Sequence, residues 1–255
     1  MPFSKKVVIV TGASSGIGRA TAEAFARAGG AVLLVGRNEE TLDQVERTIL
    51  EEGGRARACP ADLAEGDAPD RVVAAAVDQF GGVDVLVNAA GIIATGTVET
   101  TDDAAWDEMM AINVRAPFRL MRAAAPHLKA RKGSIVNVSS VNGLRSFPGV
   151  LAYCTSKAAL DQLTRCAALE MAPFGVRVNA VNPGVTVTNL HTRGGMDDAA
   201  YAAFLERSKA THPLGRVGEA NEVASLILFL ASDRAANMTG ETIPIDGGRH
   251  LTCLR

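Results

Sequence analysis

Short runs of aliphatic and β-branched residues alternate with longer alanine-rich stretches along most of the chain. The runs are apolar at successive positions instead of at every second one, which indicates strands buried on both faces. Such strands, separated by helices, are typical of a parallel sheet with helices on both sides. The runs predict strands over residues 7–10, 31–35, 57–59, 83–87, 134–138, 176–181 and 241–246.

The stretches between the strands have the pattern of helices. Asn38 is placed to cap one of them, with Glu39 and Glu40 in its first turn, where the helix dipole favours acids. No linker or repeat divides the chain, so we predict a single Rossmann-like, doubly wound α/β domain over residues 1–255. The other predicted helices cover residues 17–28, 68–80, 104–130, 152–172 and 219–231.

Charge and cysteine content argue against several function classes. The net charge is −2 and the basic residues are scattered, whereas a nucleic-acid partner requires a clustered basic face. No C-x-x-C pair occurs among Cys59, Cys154, Cys166 and Cys253, and the four histidines lack metal-ligand spacing. The first apolar run is too short for a signal peptide or a membrane span. We expect a cytoplasmic protein with reduced thiols and without metal, nucleic-acid or membrane partners.

A glycine-rich turn follows the first predicted strand and leads into a helix. Glycines allow the backbone to approach a pyrophosphate, whose charge is met by free N–H groups at the helix N-terminus. The spacing G-x-x-x-G-x-G differs from the usual fingerprint G-x-G-x-x-G, and a turn without a ligand is the alternative. The candidate cofactor contacts in this turn are Gly12, Ser14, Ser15, Gly16, Ile17 and Gly18.

This turn and five later motifs resemble those of the short-chain dehydrogenase/reductase family, especially its 3-oxoacyl-(acyl-carrier-protein) reductase-like members. The turn matches T-G-x-x-x-G-x-G, and the later motifs occur in the family's order along almost the whole chain. Ala89 replaces the second Asn of the family's N-N-A-G. The later matching segments are Asn88-Ala89-Ala90-Gly91, Asn113, Ser140 with Tyr153-Cys154-Thr155-Ser156-Lys157, Asn182-Pro183-Gly184 with Thr188, and Asp246-Gly247-Gly248.

The resemblance implies hydride transfer between a nicotinamide cofactor and a small carbonyl or secondary alcohol. It implies that Asn113, Ser140, Tyr153 and Lys157 form the catalytic set. Asp62 would flank the adenine, although a helix N-cap is the alternative for this residue. The cofactor contacts implied beyond the glycine turn are Asp62, Leu63, Asn88, Ala89, Gly91, Tyr153, Lys157, Pro183, Gly184, Val185, Thr186 and Thr188.

Tyr153 and Lys157 are four residues apart on a predicted helix, so their side chains share one face. A tyrosine pKa near 10 is too high for an efficient base at neutral pH, and a nearby ammonium favours the phenolate. We therefore expect a lowered Tyr153 pKa, with Tyr153 as acid in reduction and base in oxidation. An ordinary surface pair is the alternative. The family spacing assigns the substrate oxygen to Ser140 and leaves Ser139 structural.

Pro117 lies four residues after Asn113 and has no N–H, so the Asn113 carbonyl loses its helical partner. A kink there leaves this carbonyl free to hold a water molecule. The resemblance implies that such a water links Asn113 to Lys157 as a proton relay. A simple proline kink is the alternative.

The end of the second strand predicts the cofactor. An NAD site has Asp or Glu about twenty residues after the glycine turn, but here Val35 is followed by Gly36 and Arg37. A guanidinium binds a 2′-phosphate with paired, charge-assisted hydrogen bonds. Ser15 stands where many NADP-specific relatives have a second basic residue. We therefore predict NADP(H), with NAD(H) as a weaker alternative.

A polar segment over residues 188–215 contains Gly194-Gly195 and predicts a mobile lid over the substrate, with a fixed surface helix as the alternative. Small and apolar residues lie on several faces of the helix that carries Tyr153, which indicates burial on more than one side. The resemblance implies that this helix and the preceding long helix pair with those of a second copy across a two-fold axis. Both observations favour a homotetramer. The inner face of the lid is predicted from Tyr201, Phe204 and Leu205, and the rest of the substrate pocket from Thr95, Gly143, Phe147 and Pro148.

Three other functions fit the same fold. If the protein were a nucleotide-binding regulator without catalysis, some of the four catalytic residues should be replaced, yet all four are present. A sugar-nucleotide epimerase or dehydratase requires a sizeable C-terminal substrate domain, and only about seventy residues follow Pro183. The third alternative is a scaffold protein that keeps the fold for oligomerisation. A test of NADPH binding, followed by fluorescence, would identify such a protein.

Overall fold

The apolar runs form one parallel sheet of seven strands in the order β3-β2-β1-β4-β5-β6-β7. The computed structural model describes residues 1–252, and Cys253 lies outside them. The doubly wound α/β fold predicted from the sequence is confirmed. The strands are β1 (Val7–Thr11), β2 (Ala31–Gly36), β3 (Arg55–Pro60), β4 (Val85–Asn88), β5 (Ser134–Val138), β6 (Arg177–Pro183) and β7 (Thr242–Ile245).

Ten α-helices lie within the described residues. Asn38 caps the second one as predicted, since its side chain accepts a hydrogen bond of 2.9 Å from the Thr41 N–H. The helices are α1 (Gly16–Arg27), α2 (Glu39–Glu51), α3 (Ala68–Phe80), α4 (Asp103–Met110), α5 (Ala116–Arg131), α6 (Val141–Leu144), α7 (Leu151–Met171), α8 (Leu190–Arg193), α9 (Asp198–Thr211) and α10 (Ala220–Ala231). No helix within residues 1–252 is long and apolar enough to cross a membrane.

Alternate side chains of β1 enter two separate cores, one on each face of the sheet. Val8 and Val10 pack with residues of α1 and α10, whereas Val7 and Ile9 pack with residues of α3 and α5. All five residues of β1 are buried, which explains why the strand is apolar without alternation. The two cores fix the sheet between its helix layers.

The helix predicted over residues 104–130 is interrupted. α4 and α5 are joined by a π-helical turn, Ala111–Arg115, in which the Ala116 N–H bonds to the Ala111 carbonyl. The distortion expected at Pro117 therefore takes the form of a π turn, because Pro117 offers no N–H to the Asn113 carbonyl. This wider turn lies where Asn113 enters the interior of the protein.

β3 differs from the sequence prediction, and the 188–215 segment contains helices, as its alternative interpretation allowed. β3 is longer than the predicted 57–59, because all six of its residues pair in register with β2. The polar segment over 188–215 holds α8 and α9. Asp197 caps α9 by accepting a hydrogen bond of 2.8 Å from the Ala200 N–H.

The order of the strands determines where a ligand can bind. β1 lies between β2 and β4, so the chain leaves the sheet in opposite directions on the two sides of β1. A crevice opens at such a switch point, beyond the carboxyl ends of the strands. The glycine turn after β1 and the loop after β4 meet at this crevice.

Candidate active site

A cleft of about 820 Å³ lies beyond the carboxyl ends of β1, β4, β5 and β6. This volume is within the usual range for a cofactor or substrate site. Most of the predicted site residues line it, although they come from distant parts of the sequence. These residues are Gly12, Ser15, Gly16, Ile17, Gly18, Arg37, Ala89, Gly91, Ser140, Tyr153, Lys157, Pro183, Gly184, Val185, Thr186 and Thr188.

The glycines of the first turn are required by close backbone approaches. Gly12 has a φ of +66°, and a Cβ placed on it would lie 2.9 Å from the Ala89 carbonyl oxygen. A Cβ on Gly18 would collide with the carbonyl oxygen of Gly12. α1 begins directly at Gly16, so its free N–H groups face the cleft at the turn. This cradle of backbone donors without side chains fits the pyrophosphate of a dinucleotide.

Five of the predicted catalytic and cofactor-binding residues do not line the cleft. Asn88 is buried and donates a hydrogen bond of 2.8 Å to Oδ1 of Asn137. Asp62 accepts a hydrogen bond of 3.0 Å from the Ala64 N–H in a local turn, and the helix N-cap held open for it from the sequence is wrong, because α3 begins at Ala68 after Asp67. The cofactor roles of these residues stay predictions. The five residues are Ser14, Asp62, Leu63, Asn88 and Asn113.

Asn113 is fully buried and binds the loop after β4 through its side chain. Its Oδ1 accepts from the Ile92 N–H at 2.9 Å, and its Nδ2 donates to Oγ of Ser156 at 3.0 Å. A Cβ placed on Gly91 would lie 3.2 Å from Asn113 Oδ1 and 3.5 Å from Lys157 Nζ. The glycine therefore allows both side chains to come close to the same stretch of backbone. The proton relay through Asn113 stays a prediction.

Tyr153 lies at the start of α7 and is buried. Burial raises the pKa of its phenol to about 12, while the hydroxyl of Ser140 acts in the opposite direction. The sequence prediction of a lowered Tyr153 pKa is wrong when only the groups of the protein act on the phenol. The reason is that desolvation of the phenolate outweighs the favourable interactions around it.

Lys157 lies one helical turn after Tyr153 and is also buried. Its Nζ donates a hydrogen bond of 2.9 Å to the Val138 carbonyl and lies 5.7 Å from the centre of the Tyr153 ring. Burial lowers the pKa of Lys157 to about 8, and the charge of Asp161 opposes this shift. Ser139 donates to the Lys157 carbonyl at 3.2 Å, in keeping with a structural role.

Sequence reasoning missed Asp161. It is buried on α7 one turn beyond Lys157, and its Oδ2 accepts a hydrogen bond of 2.9 Å from Asn182. Burial raises the pKa of its carboxyl group. The signal was present in the sequence, because a residue four positions after Lys157 shares its helix face. Asp161 connects α7 to the Asn182-Pro183-Gly184 turn.

Sequence reasoning also missed His212, which follows α9. Its Nδ1 lies 2.7 Å from the Ser208 carbonyl, and its Nε2 lies 3.2 Å from the Val185 nitrogen. The neutral ring fits both contacts, with Nδ1–H as donor and Nε2 as acceptor of the Val185 N–H. His212 thereby joins α9 to the turn after β6. A lone histidine in a polar segment carries no pattern that predicts this contact.

The substrate end of the cleft agrees only partly with the sequence prediction. Phe147, Pro148 and Phe204 line it, but Thr95, Gly143, Tyr201 and Leu205 do not. Gly143 instead packs against α7, where a Cβ would collide with the Asp161 carboxylate. No group of three or more metal-ligating side chains is present in the part of the chain that the structure describes.

The 188–215 segment is held by contacts within itself. The Tyr201 hydroxyl accepts from the Thr188 N–H at 3.1 Å and donates to the Thr188 carbonyl at 2.8 Å. The rings of His191 and Phe204 lie 4.6 Å apart. α9 therefore holds the loop that carries Thr188 at the edge of the cleft.

The neutral state of His212 makes a pH-dependent contribution to stability. Burial is the main cause that lowers its pKa, with Arg249 acting in the same direction and Ser208 and Asp246 opposing. An unfolded histidine titrates at about 6.5, so this contribution is complete above that pH and is lost as the pH falls through the lower folded pKa. At pH 7.5 we expect His212→Gln to be less stable than the wild type by about 1 kcal/mol.

This difference should shrink towards pH 5, as measured by urea unfolding at several pH values. The same substitution at the partly exposed His127 serves as the control. A wild-type advantage that stayed constant from pH 7.5 to pH 5 would contradict the role assigned to the His212 ring.

The chain is similar to known oxidoreductases over nearly its whole length. A family profile described as enoyl-(acyl carrier protein) reductase matches residues 12–250. A 2,5-dichloro-2,5-cyclohexadiene-1,4-diol dehydrogenase of Sphingobium indicum is 38% identical over 244 residues, 95% of each chain. A 3-oxoacyl-(acyl-carrier-protein) reductase of Thermotoga maritima is 37% identical over 249 residues, 97% of this chain and 99% of that one.

A solved structure is similar throughout. It is a short-chain dehydrogenase/reductase of unknown function from Caenorhabditis elegans with cofactor, 38% identical, with a TM-score of 0.94. The match covers 99% of this chain and 98% of that one. The chain therefore belongs to the short-chain dehydrogenase/reductase family, whose members are oxidoreductases that bind NAD(P).

Proposed function

We propose that this protein is an NADP(H)-dependent enzyme that interconverts a carbonyl and a secondary alcohol, with Tyr153 as its acid and base. The observation that carries the proposal is the buried phenol of Tyr153 in the cleft, beside the Ser140 hydroxyl and the Lys157 ammonium. These three groups can polarise a substrate oxygen and exchange a proton with it.

The cofactor is expected to bind along the floor of the cleft. The backbone of the glycine turn and the start of α1 would hold the pyrophosphate, and the turn from Pro183 to Thr186 would hold the nicotinamide end. When bound, the nicotinamide dinucleotide supplies or accepts the hydride. The protein's own residues then have to orient the substrate and move the proton.

The raised pKa of Tyr153 keeps its phenol protonated at neutral pH, so that it can give a proton to a carbonyl oxygen. Ser140 contributes a hydroxyl that polarises the same oxygen. The phenolate that remains is stabilised by the ammonium of Lys157 one helical turn away. A protonated phenol prepares the site for reduction, and oxidation uses the same groups in reverse.

One prediction concerns this proton. Tyr153→Phe removes the hydroxyl and little volume, so we expect carbonyl reduction to fall by about 10² to 10⁴ while NADPH binding is retained. Steady-state rates and NADPH fluorescence measure the two quantities separately. Turnover above about one hundredth of the wild-type rate would refute the assigned role.

Tyr201→Phe is the matched control, because it makes the same chemical change at the edge of the same cleft. Its hydroxyl bonds to the backbone of Thr188 and, within residues 1–252, to no other group, so its loss should reduce turnover far less. Full NADPH binding with no carbonyl reduced by the wild type would favour the alternative of a non-catalytic regulator or scaffold.

Arg37 supports the choice of NADP(H). It follows β2 directly and lines the cleft, where a 2′-phosphate would form charge-assisted hydrogen bonds with it. One such contact is worth about 1.5 to 3 kcal/mol, which is a preference of roughly ten- to a hundredfold over NAD(H). A Cβ on Gly36 would lie 3.5 Å from a Leu42 methyl group, an ordinary contact, so a side chain fits there.

A further prediction is that Gly36→Asp combined with Arg37→Ala reverses this preference. The new carboxylate accepts hydrogen bonds from the ribose hydroxyls of NAD(H) and repels the 2′-phosphate of NADP(H). The control combines Gly36→Asn with Arg37→Ala, which has the same shape without the charge and should lose the preference without reversing it. The ratio of kcat/KM values for NADPH and NADH measures the effect. An unmodified protein that used NADH as well as NADPH would refute the assignment.

We also propose a homotetramer. Several large apolar side chains on α5, α7 and the turn after α7 remain exposed in the single chain: Phe118 at 45%, Leu169 at 79% and Phe174 at 47%. Exposed apolar surface on neighbouring helices favours burial against a second copy. A cytoplasmic location and the mobility of the 188–215 lid stay predictions from the sequence.

Light scattering at micromolar concentration should give a mass about four times the 26.5 kDa of one chain. Leu169→Glu should lower this mass, because it places a charge in the contact. Val98→Glu changes a residue that is 81% exposed outside these helices, and this control should leave the mass unchanged. A monomeric wild type would refute the tetramer.

A further inference from the structure

Arg249 is a charged residue of the cleft that the proposed chemistry does not use. It begins the short 3₁₀ turn Arg249–Leu251 after β7 and lines the same cleft as Ser140 and Tyr153. Its guanidinium carbon lies 4.7 Å from the centre of the Phe147 ring. Its Nε is buried and has no hydrogen-bond partner within residues 1–252. A buried donor without a partner is costly, and a ligand can satisfy it.

The neighbouring residues hold Arg249 in this position, and the charge of Asp246 acts on it without a side-chain ion pair between the two within residues 1–252. Arg145 donates a hydrogen bond of 2.7 Å to the His250 carbonyl, which attaches the C-terminal turn to the loop after β5. The carboxylate of Asp246 accepts from the His250 N–H at 2.7 Å and from His250 Nδ1 at 2.9 Å. Asp246 is therefore engaged with His250, and the Arg249 cation remains available to the cleft.

The charges near this end of the cleft favour an anion. Arg193 also lines it, and Glu108 is the carboxylate among the lining residues. His191 lines it too, but burial and the charge of Arg249 lower the pKa of its ring, so it adds no positive charge at neutral pH. Glu108 is exposed, so water screens its charge more than it screens the partly buried Arg249. Burial lowers the pKa of the Arg249 guanidinium, as expected for a partly desolvated cation.

We propose that the substrate is an oxo acid or hydroxy acid whose carboxylate is bound by Arg249. The planar guanidinium matches a carboxylate with two parallel hydrogen bonds, and Phe147 supplies an apolar surface for the carbon chain between the two groups. Arg249 is then a specificity residue: it fixes the anionic end while Ser140 and Tyr153 contact the reacting oxygen. This inference rests on the proposed function.

The test compares oxo acids with their methyl esters, which have nearly the same shape and no charge. The pairs are 3-oxobutanoate, 4-oxopentanoate and 5-oxohexanoate with their esters, each followed by NADPH consumption. We expect at least one acid to be favoured over its ester by roughly ten- to a hundredfold in kcat/KM. Arg249→Gln should remove this preference through the KM of the acid and leave turnover of the ester nearly unchanged.

Two further variants test whether the effect belongs to Arg249. Arg207→Gln removes one positive charge from the exposed face of α9, outside the cleft, and should keep the preference for the acid. Arg249→Lys keeps the charge but loses the planar fork, so it should restore part of the preference. Equal rates for acids and esters in the wild type, or equal losses on both in Arg249→Gln, would overturn the proposal.

A binding measurement separates this inference from the proposed function. Pentanoate has the carboxylate but no carbonyl, and it should raise the melting temperature of the NADPH-loaded wild type but not of Arg249→Gln. If pentanoate binds in this way while no carbonyl is reduced, the anion site stands and the proposed reaction fails. If esters are reduced as well as acids and pentanoate has no effect, the reaction stands and the anion site fails.

Discussion

The side chain of Thr11 links the two loops on which the cleft depends. It ends β1, and its Oγ1 accepts hydrogen bonds of 3.0 Å from the N–H groups of both Ala89 and Ala90. The next residue, Gly12, approaches the Ala89 carbonyl so closely that no side chain fits. The glycine turn and the loop after β4 are therefore joined across the switch point of the sheet.

α7 extends this arrangement into the interior through a row of buried polar residues. Tyr153, Ser156, Lys157 and Asp161 are all buried and follow one another at helical spacing. Burying so many polar groups costs stability unless each has a partner. Asn113, Asn182 and the Val138 carbonyl supply hydrogen bonds to three of these side chains. Polar side chains with hydrogen-bond partners thus replace apolar contacts where α7 faces the carboxyl ends of β5 and β6.

Three cationic side chains are distributed along the cleft. Arg37 lies at the end of β2, Lys157 lies beside Tyr153, and Arg249 lies on the C-terminal turn. A cleft with cations along its length attracts ligands that are anionic at both ends, and low-dielectric walls strengthen this attraction. A phosphorylated dinucleotide and a carboxylate substrate would each use a different part of the same field.

The sequence by itself determined the sheet, most of the helices, the glycine turn and the pair Tyr153 and Lys157. These features follow from local patterns: apolar runs, glycines where the backbone must turn, and side chains four residues apart on a helix. The π turn beside Asn113 was predicted only as a distortion at Pro117, because a missing donor does not specify which wider turn replaces it. Local sequence patterns predict the helices and strands and their order, but not the environments of their side chains.

Only the tertiary structure decided the rest. The Tyr153 pKa is raised because the folded chain desolvates the phenol, and no pair of neighbouring residues reports that burial. His212 contacts the turn after β6, and Arg249 lines the cleft directly after the Asp246-Gly247-Gly248 motif, which does not itself predict this position. Both contacts arise only when the chain is folded. Long-range burial and contact set the chemistry of these groups, and a sequence pattern records only local spacing.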